Sequence, residues 1–357
     1  MKSHNYACVL AGGTGERFWP MSRVRTPKHL LKLFSDRTLL EETVRRLEGV
    51  VPVENIFVLT NETQLAGVRT ALPFLAPGQI VAEPARRDTG PAAALATALV
   101  RARDPEAILA LLPADAYVRD GQRYGEQLAA GFAMVAASKP GEDYLLTYAI
   151  PPTYAATGFG YLEMGEEIGP AASGGVFRRV RRFVEKPDAA TAQGYVASGK
   201  FGWNASIFLW RANAFLAEAE KHAPELAAFM RDFPAGDFSS YLAQRFSALP
   251  KISLDYAVME KAARVATLRA EFDWDDVGTW AALPRHMPVD AAGNACKGSV
   301  IAVDSANNIA VSNGRLIALC GVKDLVVVET PDAILVCHRS AVENLKKIQP
   351  SLPPAVL

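Results

Sequence analysis

The chain has 357 residues, half of them apolar and 21% charged, the composition of a globular protein and not of a disordered one. Lysine plus arginine and aspartate plus glutamate both number 38, so the formal net charge is zero. No overall field attracts nucleic acid or an acidic membrane, and any phosphate binding has to be local.

The length exceeds a single hydrophobic core and predicts one large domain with a smaller appendage. No run of 18 apolar residues occurs, and the apolar stretch at 7–11 is too short for a signal-peptide core. Cys8, Cys296, Cys320 and Cys337 lie far apart in apolar runs without a C-x-x-C pair, which reads as reduced core thiols in a cytoplasmic protein.

Short apolar runs at residues 6–11, 55–59, 80–82, 108–112 and 144–150 alternate with amphipathic stretches such as 39–47 and 92–103. That rhythm predicts an α/β fold, a mostly parallel sheet with helices on both faces. From about residue 151 strands are expected at 160–164, 176–185 and 206–210, helices at 188–198 and 254–263, and a surface loop at 165–175. Two prolines and a glycine mark 284–294 as linker sequence. Apolar runs at 300–303, 308–311, 316–319, 325–328 and 334–337 then predict a small all-β module, a partial β-helix or roll. The expected division is a domain at 1–283, a linker at 284–295 and a β module at 296–357.

The first strand runs directly into Leu10-Ala-Gly-Gly-Thr-Gly-Glu-Arg-Phe-Trp-Pro-Met-Ser-Arg-Val-Arg-Thr-Pro-Lys28. Glycines there let backbone N–H groups approach an anion closely, and Arg17 and Lys28 add charge-assisted contacts. A tight turn is the plainer reading of a lone Gly-x-Gly. Three glycines with four basic residues at the carboxyl end of a first strand favour a triphosphate instead. The third glycine of a dinucleotide fingerprint is missing, and no Gly-Lys-Ser/Thr follows at Walker A spacing.

The loop resembles the signature of the nucleoside-diphosphate-sugar pyrophosphorylase family, and the whole chain is similar to its bacterial mannose-1-phosphate guanylyltransferases. The matching segments are Ala11-Gly-Gly-Thr-Gly-Glu-Arg-Phe-Trp-Pro-Met-Ser-Arg23, Pro27-Lys28, Glu83-Pro-Ala-Arg-Arg-Asp-Thr-Gly-Pro-Ala-Ala93, Leu112-Pro-Ala-Asp115, Gly158-Phe-Gly-Tyr161, Phe183-Val-Glu-Lys-Pro187, Trp203-Asn204, Leu254-Asp-Tyr-Ala-Val-Met-Glu-Lys261 and Trp274-Asp-Asp-Val-Gly-Thr-Trp280. They run in family order over nearly the full chain. The chain departs at Ala116, where the family often has histidine, at Asp88, where asparagine is usual, and within Asn204-Ala-Ser206, where a glycine is common. The bifunctional members carry a further cupin-like isomerase domain that this sequence does not include, so a single-activity transferase is expected.

The resemblance implies a Rossmann-like nucleotidyltransferase domain that joins GTP to mannose 1-phosphate with Mg2+. The loop backbone at Ala11, Gly12, Gly13, Thr14 and Gly15 is assigned to the nucleotide, and Arg17 with Lys28 to the triphosphate as pyrophosphate leaves. Glu83 and Thr89, in the segment after the third strand, are placed at the base, where a carboxylate can accept from guanine N1–H and the 2-amino group. The resemblance assigns Glu185 to the sugar and Lys186 to its phosphate. Alternation along a strand ending at Pro187 puts those two side chains on opposite sides. Gly160 and Asn204 are further sugar contacts, and Trp203 is core packing. Asp115 and Asp276 are the metal carboxylates, with Asp275 the better candidate for the N-cap of a helix expected to start there. The five histidines show no metal-ligand spacing.

Two other readings stay open: a relative that uses glucose 1-phosphate with UTP, dTTP or ATP, and a non-catalytic homologue that binds the sugar nucleotide and regulates a partner. Retention of Arg17, Lys28, Asp115, Lys186 and Asp276 favours catalysis. No nucleic-acid or membrane partner is expected, and the β module leaves room for a homodimer.

Overall fold

The computed structural model describes residues 3–13, 15–139 and 141–356. Ahead of the C-terminal region run β1 (Asn5–Leu10), β2 (Ile56–Asn61), β3 (Ile80–Glu83), β4 (Ile108–Pro113), β5 (Tyr117–Val118), β6 (Leu145–Ile150), β7 (Tyr161–Pro170), β8 (Val176–Val184), β9 (Phe201–Arg211), β10 (Val265–Arg269) and β11 (Trp274–Asp275). Nine of these form one sheet in the order β3-β2-β1-β4-β9-β6-β10-β8-β7.

The β3-β2-β1-β4 half is parallel throughout, and its strands are apolar on both faces because helices cover both. Along β1, Ala7 and Val9 enter one apolar cluster with the helices Leu39–Arg45 and Gly121–Ala137. Tyr6 and Cys8 enter another with the helices Thr89–Arg103, Ala212–His222 and Pro224–Arg231. The other half is mixed. β9 runs antiparallel to both β4 and β6, and β7 and β8 form an antiparallel hairpin at the edge.

Three expected elements differ. The loop at 165–175 is mostly strand, since β7 continues to Pro170. Its outward positions are held by cross-strand pairs such as Arg182 Nε to Glu163 Oε2 at 2.7 Å and Arg181 Nη2 to Glu166 Oε1 at 2.8 Å. The helix at 254–263 is only a five-residue π-helical turn, Asp255–Met259. Of the thiols, Cys8 is in the core, whereas Cys296 and Cys320 are exposed; all four are free.

The C-terminal module contains β12 (Ala295–Lys297), β13 (Val300–Val303), β14 (Ile309–Val311), β15 (Ile317–Cys320), β16 (Leu325–Glu329) and β17 (Ile334–His338). β12, β14 and β16 stack in parallel, as do β13 and β15, giving the layers of a short β-helix closed by antiparallel β17. Buried Asn308 fixes the turn between layers: its Nδ2 donates to Asn294 Oδ1 at 2.9 Å and its Oδ1 accepts from the Leu325 N–H at 2.9 Å. The module does not stand apart. Ile309, Val311, Val326, Val328 and Leu335 share one apolar cluster with Phe18, Trp19, Leu31 and Trp280. No helix among the described residues is long and apolar enough to cross a membrane.

Candidate functional site

The carboxyl ends of β1, β3 and β4 face the segment after β8 and the middle of β9 across a cleft of about 600 Å³. That volume is typical of small-molecule sites, and the position is the one open α/β sheets use for ligands.

Gly12 and Gly13 line the cleft. The loop is pinned from β2 and the turn after it: the Ala11 N–H donates to Leu59 O at 2.7 Å, Thr60 Oγ1 to Ala11 O at 2.9 Å and Gln64 Nε2 to Gly13 O at 3.2 Å. Ala11 is itself buried beneath the loop. Thr14 lies outside the described residues. Gly15 has φ +62°, and a Cβ there would stand 2.4 Å from the Lys28 nitrogen, so only glycine lets the loop fold onto Lys28.

Lys28 is 5% exposed, and it does not project freely into the cleft as a triphosphate ligand would. Its Nζ lies 3.0 Å from Asp115 Oδ2 and donates to the Asp276 carbonyl. Asp115 and Asp276 both line the cleft, brought together by a two-stranded ribbon in which Tyr117 of β5 pairs with Asp275 of β11. Burial pushes the Asp115 carboxyl up, but the Lys28 ammonium outweighs it and holds the group below its ordinary value. Asp276 stays raised by burial, offset in part by Lys28 and reinforced by Asp115. Asp275 is occupied elsewhere, but not as a helix N-cap, since the helical turn there begins at Trp280 behind Thr279: Oδ1 accepts the Val277 N–H at 2.7 Å and Oδ2 lies 2.7 Å from His286 Nε2. Arg17 reaches the cleft, and its Nε lies 3.8 Å from Glu343 Oε2 of the β module.

Glu83, at the end of β3, lines the same cleft with a buried Oε1 that has no hydrogen-bond partner among the described residues. Burial alone pushes its carboxyl up to about 8. Asp88, at φ +70°, accepts the Thr89 N–H at 2.7 Å and starts the helix Thr89–Arg103, and Thr89 Oγ1 accepts the Leu254 N–H at 2.9 Å.

At the opposite end, a Cβ at Gly160 would stand 2.6 Å from Glu185 Oε2, so the bare glycine admits that carboxylate. Glu185 and Lys186 do not diverge as strand alternation predicts. β8 stops at Val184, Lys186 takes φ +46°, and its Nζ folds back to Glu185 Oε1 at 2.8 Å, leaving Lys186 exposed at the rim. Asn204 sits in β9 beside Glu185, while Trp203 is core, packed against Phe159 at 5.1 Å.

A family model described as nucleotidyl transferase matches residues 6–292. The chain belongs to the nucleotidyl transferase family. A second model, described as a MannoseP isomerase/GMP-like beta-helix domain, matches residues 298–352. Among relatives of this nucleotidyl transferase, Xanthan biosynthesis protein XanB of Xanthomonas campestris pv. campestris (strain B100) is 37% identical over 353 residues, 95% of this chain and 71% of that protein. Mannose-1-phosphate guanylyltransferase of Escherichia coli (strain K12) is 37% identical over 356 residues, 97% of this chain and 73% of that protein. A crystal structure described as mannose-1-phosphate geranyltransferase from Thermus thermophilus superposes with a TM-score of 0.87 at 34% identity, covering 98% of this chain and 99% of that one.

Sequence reasoning gave no role to Arg86, Phe159, Trp274 or Asp255, all of which line the nucleotidyl transferase cleft. All four stand inside matched motifs, so a signal was present. Phe159 and Trp274 nonetheless look like ordinary core aromatics until the fold places them.

Proposed function

We propose that the chain forms GDP-mannose and pyrophosphate from GTP and α-D-mannose 1-phosphate. The observation that carries this reading is the convergence, in one cleft, of a glycine loop, a cation-bearing acidic pair and a carboxylate-lined sugar end, in a chain whose relatives include mannose-1-phosphate guanylyltransferases.

In the reaction an oxygen of the sugar phosphate attacks the α-phosphorus of GTP, and the bond to the bridging oxygen breaks as pyrophosphate leaves. No covalent protein intermediate is needed, so positioning and neutralisation of charge carry the rate. Gly12, Gly13 and the loop backbone hold the nucleotide, with Glu83 accepting from guanine and Thr89 closing the base side. Arg17 faces the triphosphate. Lys28 acts from below, keeping Asp115 ionised and the loop in place. Glu185 and Asn204, with Gly160 giving access, bind the hexose, and Lys186 at the rim leaves Glu185 to meet the sugar phosphate.

Two carboxylates in one cleft, close enough that Asp115 raises the proton affinity of Asp276, suit a small hard cation. No group of three or more His, Cys, Asp or Glu side chains gathers in metal-holding geometry among the described residues, which favours Mg2+, a cation that keeps waters and substrate oxygens, over a protein-caged metal. Asp115 and Asp276 would hold it. When bound it supplies positive charge against the triphosphate.

The catalytic unit is taken as residues 1–283 with the β module from 296, and four free thiols fit a reducing cytoplasm. The test is a matrix of GTP, ATP, UTP and dTTP against mannose and glucose 1-phosphates, with pyrophosphate release measured. The GTP and mannose 1-phosphate pair should exceed every other combination, and a different preferred pair would reassign the substrates.

A further inference from the structure

At the sugar end of the cleft, near Glu185, stands a second carboxylate to which the reaction as described gives no task. Asp255 opens the π-helical turn Asp255–Met259 directly after Leu254, which is anchored on Thr89. Turns of this kind are rare and concentrate at functional sites, because the widened coil redirects a side chain. Ala257, Val258 and Met259 are buried and root the turn in the core, while Asp255 lines the cleft.

The surroundings of Asp255 hold it without neutralising it. Burial and the Glu185 carboxylate push its carboxyl up to about 6. Among the described residues no lysine or arginine forms an ion pair with it: Lys186 is paired with Glu185 and attracts Asp255 only from beyond ion-pair distance. Its side-chain donor is Asn204, whose Nδ2 lies 3.0 Å from Asp255 Oδ1. Asn204 is fixed in turn: Oδ1 accepts from Thr147 Oγ1 at 3.1 Å and from the Ser206 N–H at 3.2 Å, and its backbone N–H donates to Gly160 O at 2.9 Å. With its oxygen and one amide hydrogen used inside the protein, Asn204 has a single side-chain N–H left. A carboxylate desolvated and left without an ion-pair partner does little for the fold, since a neutral residue would avoid the penalty. It suits a ligand whose surface is hydroxyl donors.

We propose that Asp255 is a sugar-recognising residue whose carboxylate accepts a hydrogen bond from a hexose hydroxyl, beside the one met by Glu185, with Asn204 as the positioning residue that aims it. The assignment rests on the reading of this cleft as a hexose 1-phosphate site.

The test pairs a side-chain deletion with substrate deletions. Mannose 1-phosphate and its 2-, 3-, 4- and 6-deoxy analogues are turned over at saturating GTP by the wild type, Asp255→Asn and Asp255→Ser, the serine variant serving if the first fails to fold. A hydrogen bond to a charged acceptor predicts that kcat/KM for the parent sugar falls about ten- to a hundredfold in the variant. The deoxy analogue lacking the partner hydroxyl should fall little further, the other analogues should keep their full penalties, and the KM for GTP should stay within about twofold. Uniform losses across all analogues, or an unchanged parent kcat/KM, would overturn the proposal. A wild type that ignores mannose 1-phosphate and uses another hexose 1-phosphate overturns the functional reading instead. The same comparison on that sugar's deoxy series then decides Asp255.

Discussion

The Lys28 ammonium stands 3.0 Å from Asp115 Oδ2 in a chain position fixed by Gly15, and the same ammonium donates to the Asp276 carbonyl. One buried cation therefore ties the glycine loop to both acidic positions. Removing it leaves like charges facing each other, and Lys28→Met should lose roughly 1–3 kcal/mol, below the figure for a fully buried pair because Asp115 is partly open to the cleft. Adding Asp115→Asn should restore part of that stability while turnover stays lost. Urea denaturation of the single and double variants measures the coupling. Additive losses would show that the two residues do not act as a pair.

Asp115, just before β5, and Asp276, just after β11, are held at one end of the antiparallel β5–β11 ribbon, which predicts joint action on one Mg2+. Asp115→Ala and Asp276→Ala should each fold and each lose most of the activity, and the double variant should lose little more, because groups serving one function are non-additive. The thermal midpoint of the wild type should rise on adding Mg2+ with GTP, by linkage, and that rise should vanish in either single variant. Near-normal turnover of both at limiting Mg2+ would remove the assignment.

Glu83 gives the account a pH signature. With its carboxyl at about 8, the free protein carries it protonated at pH 7. Guanine's two donors favour the carboxylate, so GTP binding should release a proton there, and affinity should climb by up to about tenfold per pH unit from pH 6 before levelling above 8. Calorimetry in buffers of different ionisation enthalpy reads this release, and Glu83→Gln in parallel removes the contribution of GTP's own ionisation. The stability sign is opposite: a folded pKa raised above the unfolded one gives stability that is full near pH 4 and lost as pH rises to 8. Glu83→Gln should therefore gain stability relative to the wild type between pH 5 and 8. It should also lower the preference for GTP over ITP, which lacks the 2-amino group, and an unchanged ratio would remove Glu83 from the base pocket.

Trp280 joins the signature loop to the β module. It is fully buried, its ring centroid is 5.0 Å from that of Phe18, and Nε1 donates to Trp19 O at 3.1 Å. Trp280→Ala should cost about 3–5 kcal/mol through the cavity it leaves. Trp280→Phe should cost less, about 1–2 kcal/mol, because packing survives better than the hydrogen bond. Equal losses in denaturant unfolding would show that packing around the ring is not what matters.

The parallel half of the sheet was legible because strands buried on both faces are continuous apolar runs, as in β1 and β4. The β7–β8 hairpin was not, since Glu163, Glu166, Arg181 and Arg182 pair across an exposed face and dilute the apolar signal. The helix Gly121–Ala137 falls where the β–α alternation expects one, between the runs at 108–112 and 144–150. It carries Gly131 where a Cβ would meet the Tyr148 hydroxyl at 2.3 Å, so close packing on β6 overrode helix propensity. At the site, motif residues converge as the sequence suggests, but the partnership of Lys28 with Asp115 and the turning back of Lys186 onto Glu185 depend on backbone angles and long-range contacts that spacing does not encode. Asp255 went unassigned because its motif predicts a helix, whereas a π-turn aims it into the cleft.

The most direct test of the central claim is phosphorus NMR of the wild-type protein mixed with GTP, mannose 1-phosphate and Mg2+. Attack at the α-phosphorus predicts that the triphosphate and sugar-phosphate resonances decay together, with one GDP-mannose and one pyrophosphate formed per GTP consumed. Release of inorganic phosphate with GDP, or binding of GDP-mannose without any turnover, would contradict it.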